Sequence, residues 1–590
     1  MPSPLILHRL ALPDDADLGR ALCWRGSAHV RPDGALAVEA GESIGLGTWR
    51  NAAPLGWWAG LGIARVRLTV TGSGVLTVRT ARDGVAHVAA NVELCADEPW
   101  TLDLTTDMDW CWLDLAAPFA QDGLLSEVAW QAGAPDAEPQ PLTVVVPTFH
   151  AEDDALSQVA RLTAPALAGI VGRVIVVDQG GTLRAHPGAA EVLAEAGDRV
   201  LLVEQPNLGG SGGYSRGLWE ASTRWPDSPV FLHDDDAVAD AEGLRRLGVL
   251  AALAPRTFFG TGLLAADAPT RLQALAEGVE RRTFRWGPTD GVGQMEGGVD
   301  VAVGTPERWS FTRPTDRAEY GGWWGCLVPA GASETLGLAA PFFLKWDDAE
   351  YGLRAAKAGY EVRTLPGLAV RHPTWATKGT SSSWSSWPLH RNRLATAAAY
   401  GAGVGVLADS FAHQVKHVLS LQYATAELWN AALAETLEGP AWLDADLTAV
   451  RPQAQALLDA MPPAPVVGVP VGAEPATTVP LARTAAGWRA VSGLVRAAGV
   501  AAGTGTARLD APSEFGWADG LGRDAVVFAD GSSPLVRDPR RARRALARAV
   551  RLHAAALVRW GRLGRAYAGA LPDASSTSRW LRRFGSGARS

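Results

Sequence analysis

Residues 229–236 read Pro-Val-Phe-Leu-His-Asp-Asp-Asp. A short apolar run of this kind is a strand, and three adjacent acids follow it directly. Like charges packed after a buried strand repel one another, and a divalent cation is the natural compensation, with the alternate side chains of Asp234 and Asp236 facing one ion. An all-oxygen start to the ligand set suits Mg²⁺ or Mn²⁺; a solvated acidic turn is the alternative.

Working outward, the strand is the fourth of a series. Leu142 to Val146, Arg173 to Val177, Val200 to Val203 and Val230 to Leu232 are short β-branched runs with helix-compatible segments between them. That βαβ rhythm predicts a parallel sheet, in which ligands bind beyond the carboxyl ends of the strands. The residues after each strand therefore matter most. The first ends in Pro147-Thr148, the second in Asp178-Gln179-Gly180, and the third in Asn207 followed by Leu-Gly-Gly-Ser-Gly-Gly-Tyr-Ser-Arg-Gly. A glycine-rich turn that opens a helix can bring backbone N–H groups to a phosphate, or it can be a tight turn. The Walker lysine and the dinucleotide glycine spacing are both absent.

Farther along, Lys345-Trp346-Asp347-Asp348-Ala349-Glu350 opens a helix closed by Gly359. Acids in a first helical turn serve either as caps or, if one is ionised within reach of a hydroxyl, as a general base. The strand Glu361 to Val370 delivers Arg371-His372-Pro373, and an imidazole there would complete an Asp/Asp/His metal set. Tyr320-Gly-Gly-Trp323-Trp324-Gly-Cys326 sets two indoles in a glycine-flanked loop suited to stacking on a sugar face. Thr377 to Trp387, rich in Ser and Gly, reads as a mobile loop.

The rest of the chain frames this core. At 590 residues with 47% hydrophobic and 20% charged positions, it is globular and long enough for two to four domains, which excludes collagenous, low-complexity and wholly disordered classes. Residues 1–132 alternate in the manner of an antiparallel β-sandwich, whose Trp49, Trp57, Trp58, Trp100, Trp110, Trp112 and Trp130 serve either as core or as a sugar platform. Gly133 to Pro141 is a linker. Residues 142–388 form the α/β domain, and 389–590 a mainly helical domain interrupted at Ala464 to Pro480. Cys23, Cys95, Cys111 and Cys326 lie far apart, against a zinc ribbon, a redox pair or a disulfide scaffold. The N-terminus lacks a basic n-region and no run of about 18 apolar residues occurs, so a cytosolic protein without a span is expected.

The net charge of −8 conceals fourteen Arg against Asp538 and Asp573 in residues 537–590. Such a tail points to an anionic surface; a nucleic-acid partner is not expected, since its positive charge would surround the fold. The expected tail helix carries Leu546, Val550, His553, Leu557 and Trp560 on one stripe and arginines on another.

The ordered set PT, VVDQG, PNLGGSGGYSRG, HDDD, GGWWGCLVP, KWDDAEYGLR, RHPTW and HRNR resembles the inverting GT-A glycosyltransferases of family 2, and most of all the bacterial polymerising galactofuranosyltransferases of cell-wall galactan. The resemblance spans about residues 142–400, and the sandwich before and helices after fit that family's architecture. It implies that Thr148, Asp178, Asn207, Asp234 and Asp235 contact a UDP-sugar donor, that Asp234, Asp236 and His372 hold Mn²⁺ or Mg²⁺, and that Asp348 is the base. It places Tyr320, Trp323, Trp324, Lys345, Asp347, Trp375 and His390 on the acceptor side. It further implies a lipid-linked glycan acceptor at the inner face of a membrane, and admits a homo-oligomer. After Pro147-Thr148 the family usually has Asn-Arg, where this chain has Phe149-His150. Another NDP-sugar donor such as rhamnose, or a glycan-binding scaffold without turnover, are the alternative readings.

Overall fold

The computed structural model describes residues 4–13, 20–96, 98–133, 138–289, 298–313, 317–373, 383–461, 474–475, 505–512 and 515–585. The first region is an antiparallel β-sandwich whose two sheets share one long strand, Arg65–Arg82. Its first half pairs with Trp100–Thr105 and Gly123–Ala132, its second with Val85–Leu94 and Trp110–Ala116. The changeover falls at Gly74, whose φ of 116° is open to glycine and strained for other residues. Trp49, Trp57, Trp58, Trp110, Trp112 and Trp130 are all buried here. They are core, and the sugar-platform reading of these six finds no exposed indole face.

The central region is a mixed GT-A-like sheet. Val200–Glu204, Val171–Asp178, Leu142–Thr148 and Val230–His233 lie side by side and parallel; Gly325–Val328 then joins antiparallel, followed by Thr257–Ala265. Glu361–His372 pairs parallel to Thr257–Ala265 and ends level with Ala265. Because side chains alternate across a sheet, Val144, Val146, Val174 and Val176 face the core shared with the sandwich. Val145, Ile175 and Val177 face the opposite way, onto the helix Gly209–Arg224.

That helix explains its glycines. A Cβ at Gly217 would lie 2.1 Å from Val145 Cγ1, and one at Gly209 2.0 Å from the Phe343 carbonyl oxygen. The glycine run therefore serves close packing of helix on strand and of helix start on a neighbouring loop. Of the two readings left open for the run, the tight, closely packed turn has these contacts behind it, and Phe343 also accepts from the Ser211 N–H at 3.2 Å.

The C-terminal region is helical, with Ser386–Ala399, Gly405–Leu419, Tyr423–Glu438 and the 36-residue Pro539–Ala574 packed together. It also holds a four-stranded sheet that includes Thr506–Leu509 and Ala525–Phe528, a feature not expected of a helical domain. The long helix buries Ala545, Ala549, His553, Ala556, Trp560, Leu563 and Tyr567. Of the anticipated stripe, His553 and Trp560 are buried and Leu546 half-buried, while Val550 and Leu557 are each 55% exposed, since small alanines take many of the close helix–helix contacts. The final helix, Thr577–Phe584, returns to the α/β region, where it packs on the helix Gly209–Arg224 and Trp580 Nε1 donates to the Ala339 carbonyl at 2.8 Å. Among the described residues no helix is long and apolar enough to cross a membrane.

Gly217→Ala should force the helix off the sheet and lower stability by about 1–3 kcal/mol, the range for overpacking. Gly561→Ala, with open space around its Cβ position in the long helix, should be neutral or stabilising by up to about 1 kcal/mol. Denaturant unfolding of both variants beside the parent checks the contrast.

Candidate active site

The parallel strands end together: Thr148 pairs with Asp178, and Asp178 with Glu204. What leaves these ends shares one edge. Asp178 is buried and spends its carboxylate on its own turn, accepting from Gly180 N and Gly181 N at 2.9 Å through Oδ1 and from Leu183 N at 2.9 Å through Oδ2. Three N–H bonds to one carboxylate build a rigid loop. Asn207 Oδ1 likewise accepts from Gly209 N at 2.9 Å, shaping the start of the helix. Thr148 is buried at the strand end; its hydroxyl lies 3.4 Å from the Ala151 carbonyl and bonds Asp235. Burial pushes Asp235 up to about 7, with the Thr148 hydroxyl opposing.

The fourth strand and the last one converge. His372 Nε2 lies 3.2 Å from Asp234 Oδ2 and 3.2 Å from Asp236 Oδ1, and ligand atoms of all three residues lie within 4.8 Å of one another. Adjacent ligands on an octahedral Mg²⁺-sized ion stand about 3 Å apart, given metal–oxygen distances of about 2.1 Å. Two carboxylates and an imidazole at this spacing fit such an ion. Asp234 is oriented from below by Tyr214, whose hydroxyl donates to Oδ1 at 2.5 Å; burial, then the Asp234 charge, holds the phenol well above its ordinary range. His233 points away from the site, its Nδ1–H bonding the Trp324 carbonyl at 2.9 Å.

Across the edge, the helix Asp347–Lys357 opens on the two acids. Asp347 is buried and accepts from Ser211 Oγ at 3.0 Å. Asp348 is half-buried, and its Oδ1 accepts from the Ala349 N–H at 2.7 Å. Burial pushes both above the ordinary carboxylate range; Asp347 further raises Asp348, and the nearby Lys345 ammonium opposes both shifts. Immediately before them, Phe343, Lys345 and Trp346 adopt φ of 70°, 70° and 73°. Left-handed backbone at non-glycine residues costs on the order of 1–3 kcal/mol each.

Between the metal-ligand set and this pair lies a cavity of about 150 Å³. Asp234, His372, Asp347, Asp348, Lys345, Tyr320, Trp323 and Trp324 all line it, joined by Tyr214, Glu277, Trp286 and Trp346. Trp323 and Trp324 are largely buried walls: Trp323 packs edge-on against Tyr214 and Tyr351, and Trp324 lies 6.2 Å from the His372 ring. Among these, Tyr214, Ser211, Glu277, Trp286 and Trp346 were not singled out from sequence. Tyr214 and Ser211 sit inside the glycine-rich segment and Trp346 inside the KWDDAEYGLR run, whereas Glu277 and Trp286 come from stretches without a motif. His390 is not at the cavity. It is buried among helices, stacked on Trp429 at 3.7 Å, with its Nε2 3.0 Å from Ser410 Oγ. Trp375 and residues 377–382 of the anticipated mobile loop lie outside the described residues, as does most of the 464–480 interruption.

Residues 139–394 match the model of the family described as glycosyltransferase like family 2. The chain is similar to galactofuranosyltransferase GlfT2 of Mycolicibacterium smegmatis, 30% identical over 94% of this chain and 90% of that one. It is also similar to galactofuranosyltransferase GlfT2 of Mycobacterium tuberculosis, 28% identical over 98% of this chain and 95% of that one. Among solved structures, GalNAc-T7 with UDP, GalNAc and Mn2+ aligns to 45% of this chain and 49% of its own at 12% identity, with a TM-score of 0.33. On the strength of the family match and of a relative 30% identical over nearly the whole chain, this chain belongs to glycosyltransferase family 2, as a relative of those mycobacterial galactofuranosyltransferases.

Proposed function

We propose that the chain moves a galactofuranosyl residue from UDP-galactofuranose to a lipid-linked cell-wall glycan, with inversion at the anomeric carbon. The observation that carries the reading is one cavity walled by indoles, with a divalent-metal ligand set on one side and a buried carboxylate pair on the other. A binding scaffold has no use for both. The name carried by the two relatives supports the choice of sugar and nucleotide.

In this reading the rigid Asp178 turn, Thr148, Asn207 and the Asp234–Asp236 segment receive the nucleotide at the strand ends. A divalent cation held by Asp234, Asp236 and His372 would supply positive charge to the diphosphate of the donor. Trp323, Trp324 and Tyr320 present apolar surface to the acceptor sugar. Asp348, ionised, takes the proton of the acceptor hydroxyl; that oxygen bonds to the anomeric carbon as the bond to the diphosphate breaks, and UDP leaves with the electron pair. Asp347 is held by Ser211, and its part is to orient rather than to accept the proton. A second reading, a different NDP-sugar, is favoured by Phe149-His150, where His150 stands at a φ of 56° beside Gly180 in place of the family's arginine. Mass-spectrometric screening of donors separates the two.

The basic tail fits the same reading. Val558 is 88% exposed, and with Val550 and Leu557 it shares the solvent side of the long helix with Arg551, Arg559, Arg562 and Arg565. Each basic residue near an anionic leaflet contributes about 1 kcal/mol of attraction, enough in sum for reversible docking near a lipid-linked acceptor.

Wild-type chain should bind UDP more tightly in Mn²⁺ than in EDTA by calorimetry, and Asp236→Ala should lose that difference while remaining folded. Equal wild-type affinity in both would overturn the metal assignment.

Asp348→Asn should reduce UDP release in the presence of donor and acceptor by at least about a thousandfold, within the scale of losing a general base plus its ionised form, with UDP binding preserved. Asp347→Asn should cost less. Because the pKa of Asp348 is raised, the ionised base is lost as pH falls through a value above the ordinary carboxylate range, so the acid limb of kcat should lie there; reversed variant phenotypes would move the base to Asp347.

Co-sedimentation with anionic liposomes at low salt should capture the protein, and high salt or neutral lipid should release it. Indifference to both would assign the tail another role.

A further inference from the structure

Three left-handed residues in a run of four do not hold themselves, and the groups that hold this run come from outside the sheet. On one side the Ser211 N–H reaches the Phe343 carbonyl. On the other, Asn392, fully buried on the Ser386–Ala399 helix, places Nδ2 3.2 Å from the Phe342 carbonyl, 3.0 Å from that of Leu344 and 3.0 Å from that of Lys345. An amide nitrogen carries two protons, so three carbonyls share them. The amide cannot turn over, because its Oδ1 accepts from Arg391 Nε at 3.2 Å. The next residue extends the grip: Arg393 Nε donates to the Phe284 carbonyl at 3.0 Å, and the Phe284 ring lies stacked on Trp346 at 5.8 Å and 17°.

We infer that Asn392 is a positioning residue for the two acids: by gathering the carbonyls on either side of Phe343 it keeps Lys345 and Trp346 left-handed, and so fixes the angle at which Asp347 and Asp348 enter the cavity. The helix Asp347–Lys357 starts at the residue after Trp346, so the backbone angle at Trp346 sets the phase of its first turn. Relaxation of that angle swings both carboxylates together. The role thus belongs to the asparagine of the His-Arg-Asn-Arg run, while its histidine, His390, faces the other way into the helical core. The inference rests on the reading of Asp348 as the base, and its test has a part that does not.

Asn392→Leu keeps the side chain's size and removes its donors. Amide hydrogen exchange by mass spectrometry should show at least tenfold faster exchange in peptides covering 342–349, with those covering 230–236 unchanged. The kcat for transfer should fall at least tenfold while UDP affinity in Mn²⁺ stays within twofold, because the nucleotide and metal residues sit on other strands. Ser410→Ala is the control: buried one helix away, bonded to His390 and His553, it should destabilise the helices and leave both readouts alone. Should Asn392→Leu not fold, Asn392→Ser takes its place with the same readouts. Unchanged exchange at 342–349, unchanged kcat, or equal losses in the Ser410 variant would overturn the inference. Exchange needs no donor, so an active Asp348→Asn would remove the base assignment and leave the clamp to be decided separately.

Discussion

Crowded negative charge is the constraint on which this molecule depends. Asp234, Asp235 and Asp236 after one strand and Asp347 and Asp348 at the start of one helix are brought by these two elements to one edge of a sheet, with Glu277 lining the same cavity. Each would rather be in water, and each pair repels. The fold meets the cost locally: a phenol on Asp234, a hydroxyl on Asp347, another on Asp235, an imidazole across Asp234 and Asp236, and an ammonium beside the pair. Charge left over is the property that a cation and a proton from substrate would relieve. Stability and chemistry therefore draw on the same side chains, and the strained run 343–346 is tolerated because it is what presents two of them.

Much of this was legible in the sequence, for physical reasons. Buried parallel strands are continuous β-branched runs, so Leu142–Thr148, Val171–Asp178, Val200–Glu204 and Val230–His233 announced themselves, and the rule that ligands sit at carboxyl ends directed attention to Asp178, Asn207 and Asp234–Asp236, which the structure has at or just after those ends. His372 was found because a strand end delivers it. The glycine run stayed open between two readings because glycine has two uses, bringing backbone to a ligand or backbone to backbone, and sequence does not say which. Here Gly209 and Gly217 meet Phe343 and Val145.

His390 illustrates a different limit. Its placement at the acceptor side came from resemblance, and nothing in a helical stretch of Ala, Leu and Thr tells which way a ring faces. In the structure the imidazole is buried, with burial and the neighbouring Arg393 holding its pKa well below the ordinary range. Glu277 and Trp286 escaped for another reason: they reach the cavity from a hairpin of two short strands, Glu277–Glu280 and Arg285–Pro288, whose pattern is no different from any surface hairpin. The tail stripe divides by size: His553 and Trp560 of it are buried, while alanines take the close helix contacts that Val550 and Leu557 leave.

The return of Thr577–Phe584 to the α/β region bears on how the chain is made. Trp580 and Phe584 belong to the same apolar cluster as Val145, Ile175, Val177 and Leu218, so the outer side of the helix Gly209–Arg224, where Phe584 meets Trp219, stays uncovered until that far segment leaves the ribosome. At roughly 5–20 residues per second, the interval between emergence of the Asp347–Asp348 segment and of Trp580 is on the order of tens of seconds. During it, the outer side of the helix Gly209–Arg224, which already covers Val145, Ile175 and Val177, lacks Trp580 and Phe584 against it, so the packing of this region is completed only after the last helix is made.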